Sequence, residues 1–275
     1  MAQETSHPFD QALQFEFEKE GETAFGHTSP AYANMIGPYG GLTAAALLKG
    51  PLTHPAAIGE PLALTVNFAS AVKEGRFEIN TTEMRTNRST QHWFMTQSSG
   101  DEIVTTGTAI FANRRKTWSS TEYQPPAIPT FESMASMPRG SKPAFAGMYD
   151  IRVVGGEGQM FGAKDVDGNP TAESLLWVRD NPARPLDFLS LVAIADIFFP
   201  RIFVRRGRFV PAGTVSMTIY FHAGKAELKA IGESALIGHA RAGRFWNNYF
   251  DQAAELWTAD GQLLATTNQI VYFKE

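Results

Sequence analysis

Residues 41–50 read Gly-Leu-Thr-Ala-Ala-Ala-Leu-Leu-Lys-Gly, and residues 188–196 read Phe-Leu-Ser-Leu-Val-Ala-Ile-Ala-Asp. Alanine and leucine are strong helix formers and glycine is a common stop. The first stretch therefore predicts a helix over residues 41–49. The second predicts a helix over residues 186–198, apolar on nearly every face and so buried all round. The segments around them read mostly as strand. Residues 14–18 alternate apolar and polar, and residues 62–72, 77–84, 91–97 and 103–111 continue the β pattern. After the midpoint, strands are predicted at 147–154, 174–179, 214–222, 228–237, 245–257 and 262–273. One short apolar helix beside a run of long strands suggests a sheet wrapped around that helix. The order occurs twice.

Between the two runs, residues 113–143 hold Pro125, Pro126, Pro129, Pro138 and Pro143 with Ser and Thr between them. That composition predicts a linker. Local matches support a duplicated unit. Arg85-Thr86-Asn87-Arg88 corresponds to Arg241-Ala242-Gly243-Arg244, and Ile103-Val104-Thr105-Thr106 to Leu263-Leu264-Ala265-Thr266. Val66-Asn67-Phe68-Ala69 corresponds to Ile219-Tyr220-Phe221-His222. The offsets are 156, 160 and 153, similar enough to reflect one repeat with small loop insertions.

Composition narrows the function. The 275 residues carry 24 basic and 28 acidic side chains, a net charge of −4, which excludes a broadly basic nucleic-acid binder. A 43% hydrophobic content with 20 Phe supplies a sizeable core and excludes global disorder. The absence of cysteine excludes disulfides, thiol nucleophiles and Cys-ligated metals. The longest apolar run, residues 189–200, is broken by Asp196 and is too short for a membrane span. The N-terminus lacks a basic start and an apolar stretch, so no signal peptide and a cytoplasmic location are expected. There is no G-x-S-x-G and no phosphate loop, and Gly156, Gly158 and Gly162 miss the dinucleotide spacing. The six histidines show no metal spacing.

Three polar residues stand out. Asp196 follows an apolar helix, where a carboxylate opposes that helix's macrodipole and is desolvated by Ile197, Phe198 and Phe199. Such a carboxylate is a candidate base with a raised pKa. An ion pair with Arg201 or Arg205 is the alternative. Thr214 opens a strictly alternating strand, which predicts one shared face for Thr214, Ser216, Thr218, Tyr220 and His222. Gln269 lies in the last strand, and its counterpart in the first half is Ala109. One site near the second helix is therefore expected. Arg201, Arg205, Arg206 and Arg208 form a basic cluster suited to phosphates, with Arg114, Arg115 and Lys116 as a second candidate. Phe198, Phe199 and Phe203 are available to line an apolar slot.

These residues resemble the acyl-CoA thioesterase II (TesB-like) family of double-hotdog proteins, over nearly the whole chain. Pro38-Tyr39-Gly40-Gly41 before the Ala/Leu helix resembles the family's Gly-Gly approach to its central helix, and residues 85–89 its next landmark. Ala195-Asp196 with Phe198 and Pro200 resembles the segment bearing the catalytic Asp. Gly213-Thr214 ahead of Tyr220-Phe221-His222 resembles the segment bearing the catalytic Thr. Thr258-Ala259-Asp260-Gly261 through Gln269 resembles the segment bearing the catalytic Gln. Two departures stand: the stretch from Asp196 to Thr214 is shorter and richer in arginine, and Ala195 replaces the usual Ser.

The resemblance implies an α+β tandem (double) hotdog with two long antiparallel sheets, each wrapped around a central helix. Its units would be residues 1–112 and 144–275. It implies hydrolysis of acyl-CoA thioesters by water activated at Asp196 with Thr214 and Gln269, without a covalent intermediate. Gly40 and Gly41 would bring backbone N–H donors to the developing oxyanion. Arg201, Arg205 and Arg206 would meet the CoA phosphates. No cofactor and no metal are expected, nor a nucleic-acid or membrane partner. A homo-oligomer is. The alternative is a double-hotdog protein that binds acyl-CoA or another small ligand without turnover. A hydratase would need an Asp/His pair, and Asp167-Gly168-Asn169-Pro170 lacks the following His.

Overall fold

Alternating strands joined by short turns pair with their sequence neighbours, and the result is one antiparallel sheet of thirteen strands among the described residues. The computed structural model describes residues 6–18, 22–138, 143–165 and 167–275. In chain order the first half contains α1 (Pro8–Ala12), β1 (Glu16–Phe17), β2 (Thr23–His27), α2 (Gly40–Thr53), β3 (Glu60–Phe68), β4 (Arg76–Thr86), β5 (Thr90–Ser99) and β6 (Glu102–Ala112). The second contains β7 (Tyr149–Val153), β8 (Ser174–Asp180), α3 (Phe188–Ile194), α4 (Arg201–Arg206), β9 (Ala212–Phe221), α5 (Lys225–Ile231), β10 (Leu236–Arg241), β11 (Phe245–Trp246), β12 (Tyr249–Trp257) and β13 (Leu263–Phe273). The fold is α+β, with few helices. Among the described residues no helix is long and apolar enough to cross a membrane.

The strand order is β1-β2-β4-β5-β6-β3-β9-β13-β12-β10-β8-β7. Outward from the β3–β9 seam the two directions match: β3, β6, β5, β4 on one side and β9, β13, β12, β10 on the other. At the seam Thr65 pairs with Thr218 and their hydroxyls lie 3.0 Å apart. The two expected sheets are therefore continuous, because β3 and β9 complete each other's open edges.

Inside the curve, α2 packs against α3, and one buried cluster runs through both halves from Leu47 and Trp93 to Leu191 and Leu256. Helix α2 is buried on almost every side, as its Ala/Leu composition requires. It continues past the predicted stop at Lys49 through Gly50 and Pro51. Gly50 is a close-packing residue there, since a Cβ would strike the Thr81 hydroxyl. Helix α3 is shorter than predicted. The Asp187 side chain caps it by accepting the Ser190 N–H at 2.8 Å, and tight turns end it at Ala195–Ile197.

Two predicted strands divide. Residues 228–237 begin inside α5, where the Glu227 side chain accepts the Gly224 N–H at 2.6 Å and Gly232, at φ 62°, ends the helix. Residues 245–257 turn back at Asn247 and Asn248, both at positive φ, which makes a two-residue hairpin. The predicted linker lies partly docked on the second half. Phe131 packs edge-on against Trp177 and under the guanidinium of Arg152, while Trp177 Nε1 donates to Pro129 O at 2.8 Å. Residues 139–142 of that linker lie outside the described residues, as do residues 1–5 and 19–21 of the first unit and residue 166 of the second.

Candidate active site

The first turn of α2 begins Gly40-Gly41 and the turn after α3 ends in Asp196; helix packing brings the two together. The backbone N–H of Gly41 faces the Asp196 carboxylate and favours its charged form. A Cβ on Gly40 would lie 2.8 Å from Asp196 Oδ2, and one on Gly41 would lie 2.5 Å from Ala193 O. Glycine is needed at both positions because backbone meets backbone and carboxylate at contact distance. Asp196 thus sits at the positive end of a 14-residue helix belonging to the other half. Relative to α3 alone a carboxylate there is unfavourable; relative to α2 it faces N–H groups that have no partner within the helix.

Gln269, buried on β13, links the other groups. Its Nε2 donates to Asp196 Oδ1 at 3.0 Å, and its Oε1 accepts the Thr214 hydroxyl at 3.0 Å. The same Nε2 lies 3.5 Å from Met217 Sδ. Strict alternation would have turned Thr214 to the outer face with Ser216. The ladder shifts there: Ile270 pairs with Ser216 but Val271 pairs with Thr214, leaving Val215 bulged. The bulge turns Thr214 toward Gln269, a use of bulges that recurs beside active sites. Thr214 therefore does not share a face with Ser216 and Thr218, a correction to the alternation. The first-half equivalent of Gln269 is the buried, apolar Ala109, paired with Leu64.

Burial pushes the Asp196 pKa up to about 7, and the donors on Gln269 and Gly41 pull the other way. Asp196 as a whole residue stays partly exposed. A base that titrates near neutrality and can still meet water is suited to proton transfer.

The arginines separate. Arg201 is fully buried, not part of a surface cluster, and not paired with Asp196. Its guanidinium donates to Phe199 O, to Gln252 Oε1 at 3.1 Å and to Ser174 Oγ at 2.6 Å. Burial pulls its pKa down to about 9, which still leaves it charged at neutral pH. A guanidinium committed in this way ties the turn before α4 to β8 and β12, and is not free to meet a phosphate. Arg205, Arg206 and Arg208 are exposed at the end of α4, where Arg206 and Arg208 pair with Glu275. Arg114 is occupied by the carbonyls of Phe221 and His222. Phe198 is buried against Gly238, and Phe203 stacks on Phe161 with centroids 5.9 Å apart.

Two contributors escaped the sequence reading. Phe68 lies 3.7 Å from where a Gly40 Cβ would sit, and Met217 touches Gln269. Both had read as ordinary strand residues; only the register places them here. A groove of about 820 Å³ lies elsewhere, between residues 125–132 and Trp177, Ile237 and Asp260, and none of the site residues lines it.

With this geometry in place, the comparisons with known proteins become specific. The family model described as acyl-CoA thioesterase N-terminal domain matches residues 29–112, and that described as acyl-CoA thioesterase C-terminal domain matches residues 124–273. The chain belongs to the acyl-CoA thioesterase family and is a thioesterase. A conserved protein of unknown function with a hot dog fold from Alicyclobacillus acidocaldarius is similar at 41% identity, with 98% of this chain and 99% of that one covered and a TM-score of 0.92. Acyl-CoA thioesterase II from Mycobacterium marinum shares the fold at 14% identity, 97% and 98% coverage and a TM-score of 0.76. The tesB protein of Mycobacterium avium subs paratuberculosis shares it at 18% identity, 97% and 98% coverage and a TM-score of 0.75. No curated protein matches the chain.

Proposed function

We propose that the protein hydrolyses acyl-CoA thioesters at Asp196, with Thr214 and Gln269 as its partners. The observation that carries this reading is the hydrogen-bond chain from Thr214 through Gln269 to Asp196, whose carboxylate lies against the Gly40–Gly41 start of α2. Gln269 is held at both ends of its amide, so its orientation is fixed. Water donates one hydrogen bond to Asp196 and is held by the Thr214 oxygen. Asp196 takes the water's proton as the water oxygen bonds to the thioester carbonyl carbon. The carbonyl oxygen gains the negative charge and faces the remaining amides of the first turn of α2. The C–S bond then breaks, the sulfur leaves with the proton returned by Asp196, and the products are the carboxylic acid and CoA. No covalent enzyme intermediate is required, in keeping with a chain that has no cysteine.

In this reading the chain is a double hotdog, with units at residues 1–112 and 144–275 and a linker at 113–143. Arg205 and Arg206, exposed just beyond the Asp196 turn, meet the CoA phosphates. Homo-oligomerisation belongs to the same reading; the edge strands β1 and β7 are short, so a second copy would meet the sheet's outer face. The test is thiol release from acyl-CoAs of increasing chain length. Without cysteine in the protein, a thiol reagent reports only released CoA. Turnover on the panel supports the reading. A folded protein with no turnover on any member contradicts it.

A further inference from the structure

We propose that Tyr39 is a positioning residue for Asp196, its hydroxyl coupling the Gly40–Gly41 turn to the turn that carries the carboxylate. The inference rests on the reading of Asp196 given above. Tyr39 immediately precedes α2 and is 2% exposed. Its hydroxyl donates to Ala193 O at 2.6 Å, a bond between residues 154 positions apart in sequence. The same Ala193 carbonyl accepts the Asp196 N–H at 3.2 Å. One acceptor therefore holds both the residue before the helix and the residue bearing the base.

The rest of Tyr39 is equally constrained. Its N–H donates to Tyr32 O at 2.8 Å, and its carbonyl accepts the Thr43 N–H at 3.1 Å, the first bond of α2. Its ring stacks on Phe145, centroids 4.2 Å apart and 4° from parallel, and meets Tyr149 edge-on at 6.0 Å. A Cβ on Gly41 would lie 2.7 Å from that ring. Phenylalanine would fill the same volume. The hydroxyl is thus not needed for packing, and of the three buried phenols packed here that of Tyr39 has an acceptor while those of Tyr32 and Tyr149 have none. Burial, then the charge of Asp196, raises the Tyr39 pKa well above the usual phenol value, so it remains a donor throughout the working pH range. Tyr39 does not touch the reacting atoms in this arrangement; it sets the separation between Gly41 N–H and Asp196.

The test compares wild type, Tyr39→Phe, Phe145→Leu and Asp196→Asn by thiol release across pH, with thermal unfolding alongside. Tyr39→Phe is expected to lower kcat by about 10–100-fold with little change in KM, the scale for a small misplacement of reacting groups. Loosening the Gly41 N–H removes stabilisation of the carboxylate, so the acid limb of the profile moves to higher pH. Phe145→Leu keeps the hydroxyl and loses the stack; it is expected to unfold at lower temperature with its acid limb unmoved. The proposal is overturned if Tyr39→Phe changes only the unfolding temperature, or if Phe145→Leu moves the acid limb as far. Wild-type turnover in Asp196→Asn would remove the base assignment and this inference together. Inactive Asp196→Asn beside an unchanged Tyr39→Phe would remove this inference alone.

Discussion

The carboxylate of Asp196, in the second half of the chain, lies against Gly40 and faces the backbone N–H of Gly41, in the first turn of α2 in the first half. The site is therefore shared. One half contributes the carboxylate and its polar partners, and the other contributes the helix N-terminus. The packing of α2 on α3 keeps the two in register.

Removing the charge of Asp196 should raise stability above neutral pH. Unfolded Asp titrates near 4, while burial holds the folded group near 7. Between those values the folded state binds a proton that the unfolded state lacks, so stability falls as pH rises, and the loss is complete above about 7. Asp196→Asn avoids that loss. Its melting temperature should match wild type near pH 4 and exceed it by several degrees at pH 8, a difference of at most about 4 kcal/mol. Equal melting temperatures at both pH values would contradict the desolvated carboxylate.

Gly40→Ala should be active-site specific. The new methyl group would lie 2.8 Å from Asp196 Oδ2 and must displace it. Turnover should fall by about 100-fold, as expected for a shift of about 1 Å. Circular dichroism should remain that of the folded protein, which separates this outcome from unfolding.

Replacing Gln269 with Leu removes a donor to the carboxylate and the acceptor for Thr214. A carboxylate with fewer donors is harder to ionise, so the acid limb of kcat/KM should move above its wild-type position near pH 7. Thr214→Val should lower kcat without that movement, because Thr214 reaches Asp196 only through Gln269. A pH profile on each variant distinguishes the two roles.

The arginines should divide by burial. Arg201→Met leaves the Ser174 and Gln252 oxygens without their donor, and a loss of about 2–4 kcal/mol should appear in denaturant unfolding. Arg205→Ala and Arg206→Ala should leave stability within about 0.5 kcal/mol of wild type. Their effect should be a raised KM for acyl-CoA that shrinks at high salt.

Asp196 was legible as a site candidate because it follows a helix with no room for a charge. What the sequence could not display is the second helix whose N-terminus receives it. Gly41 and Asp196 lie 155 positions apart, and only tertiary packing brings them together. Thr214 was legible as a residue type in order, yet alternation placed it on the outer face, since a bulge at Val215 leaves no mark in composition. The arginine cluster failed differently. Adjacency in sequence grouped Arg201 with Arg205 and Arg206, while the turn into α4 buries the first and exposes the others. The strands were legible from period-two patterning, except where Gly224 and Glu227 nucleate α5 and where Asn247 and Asn248 reverse the chain.

The most direct test of the central claim is the pH dependence of kcat/KM for thiol release, measured on wild type and Asp196→Asn together. The account predicts a wild-type acid limb near pH 7 and a loss of about 10²–10⁴-fold in Asp196→Asn above that pH, shrinking below it as the wild-type carboxylate takes its proton. Comparable turnover in the two proteins, or a wild-type rate flat from pH 5 to 8, would contradict Asp196 as the base.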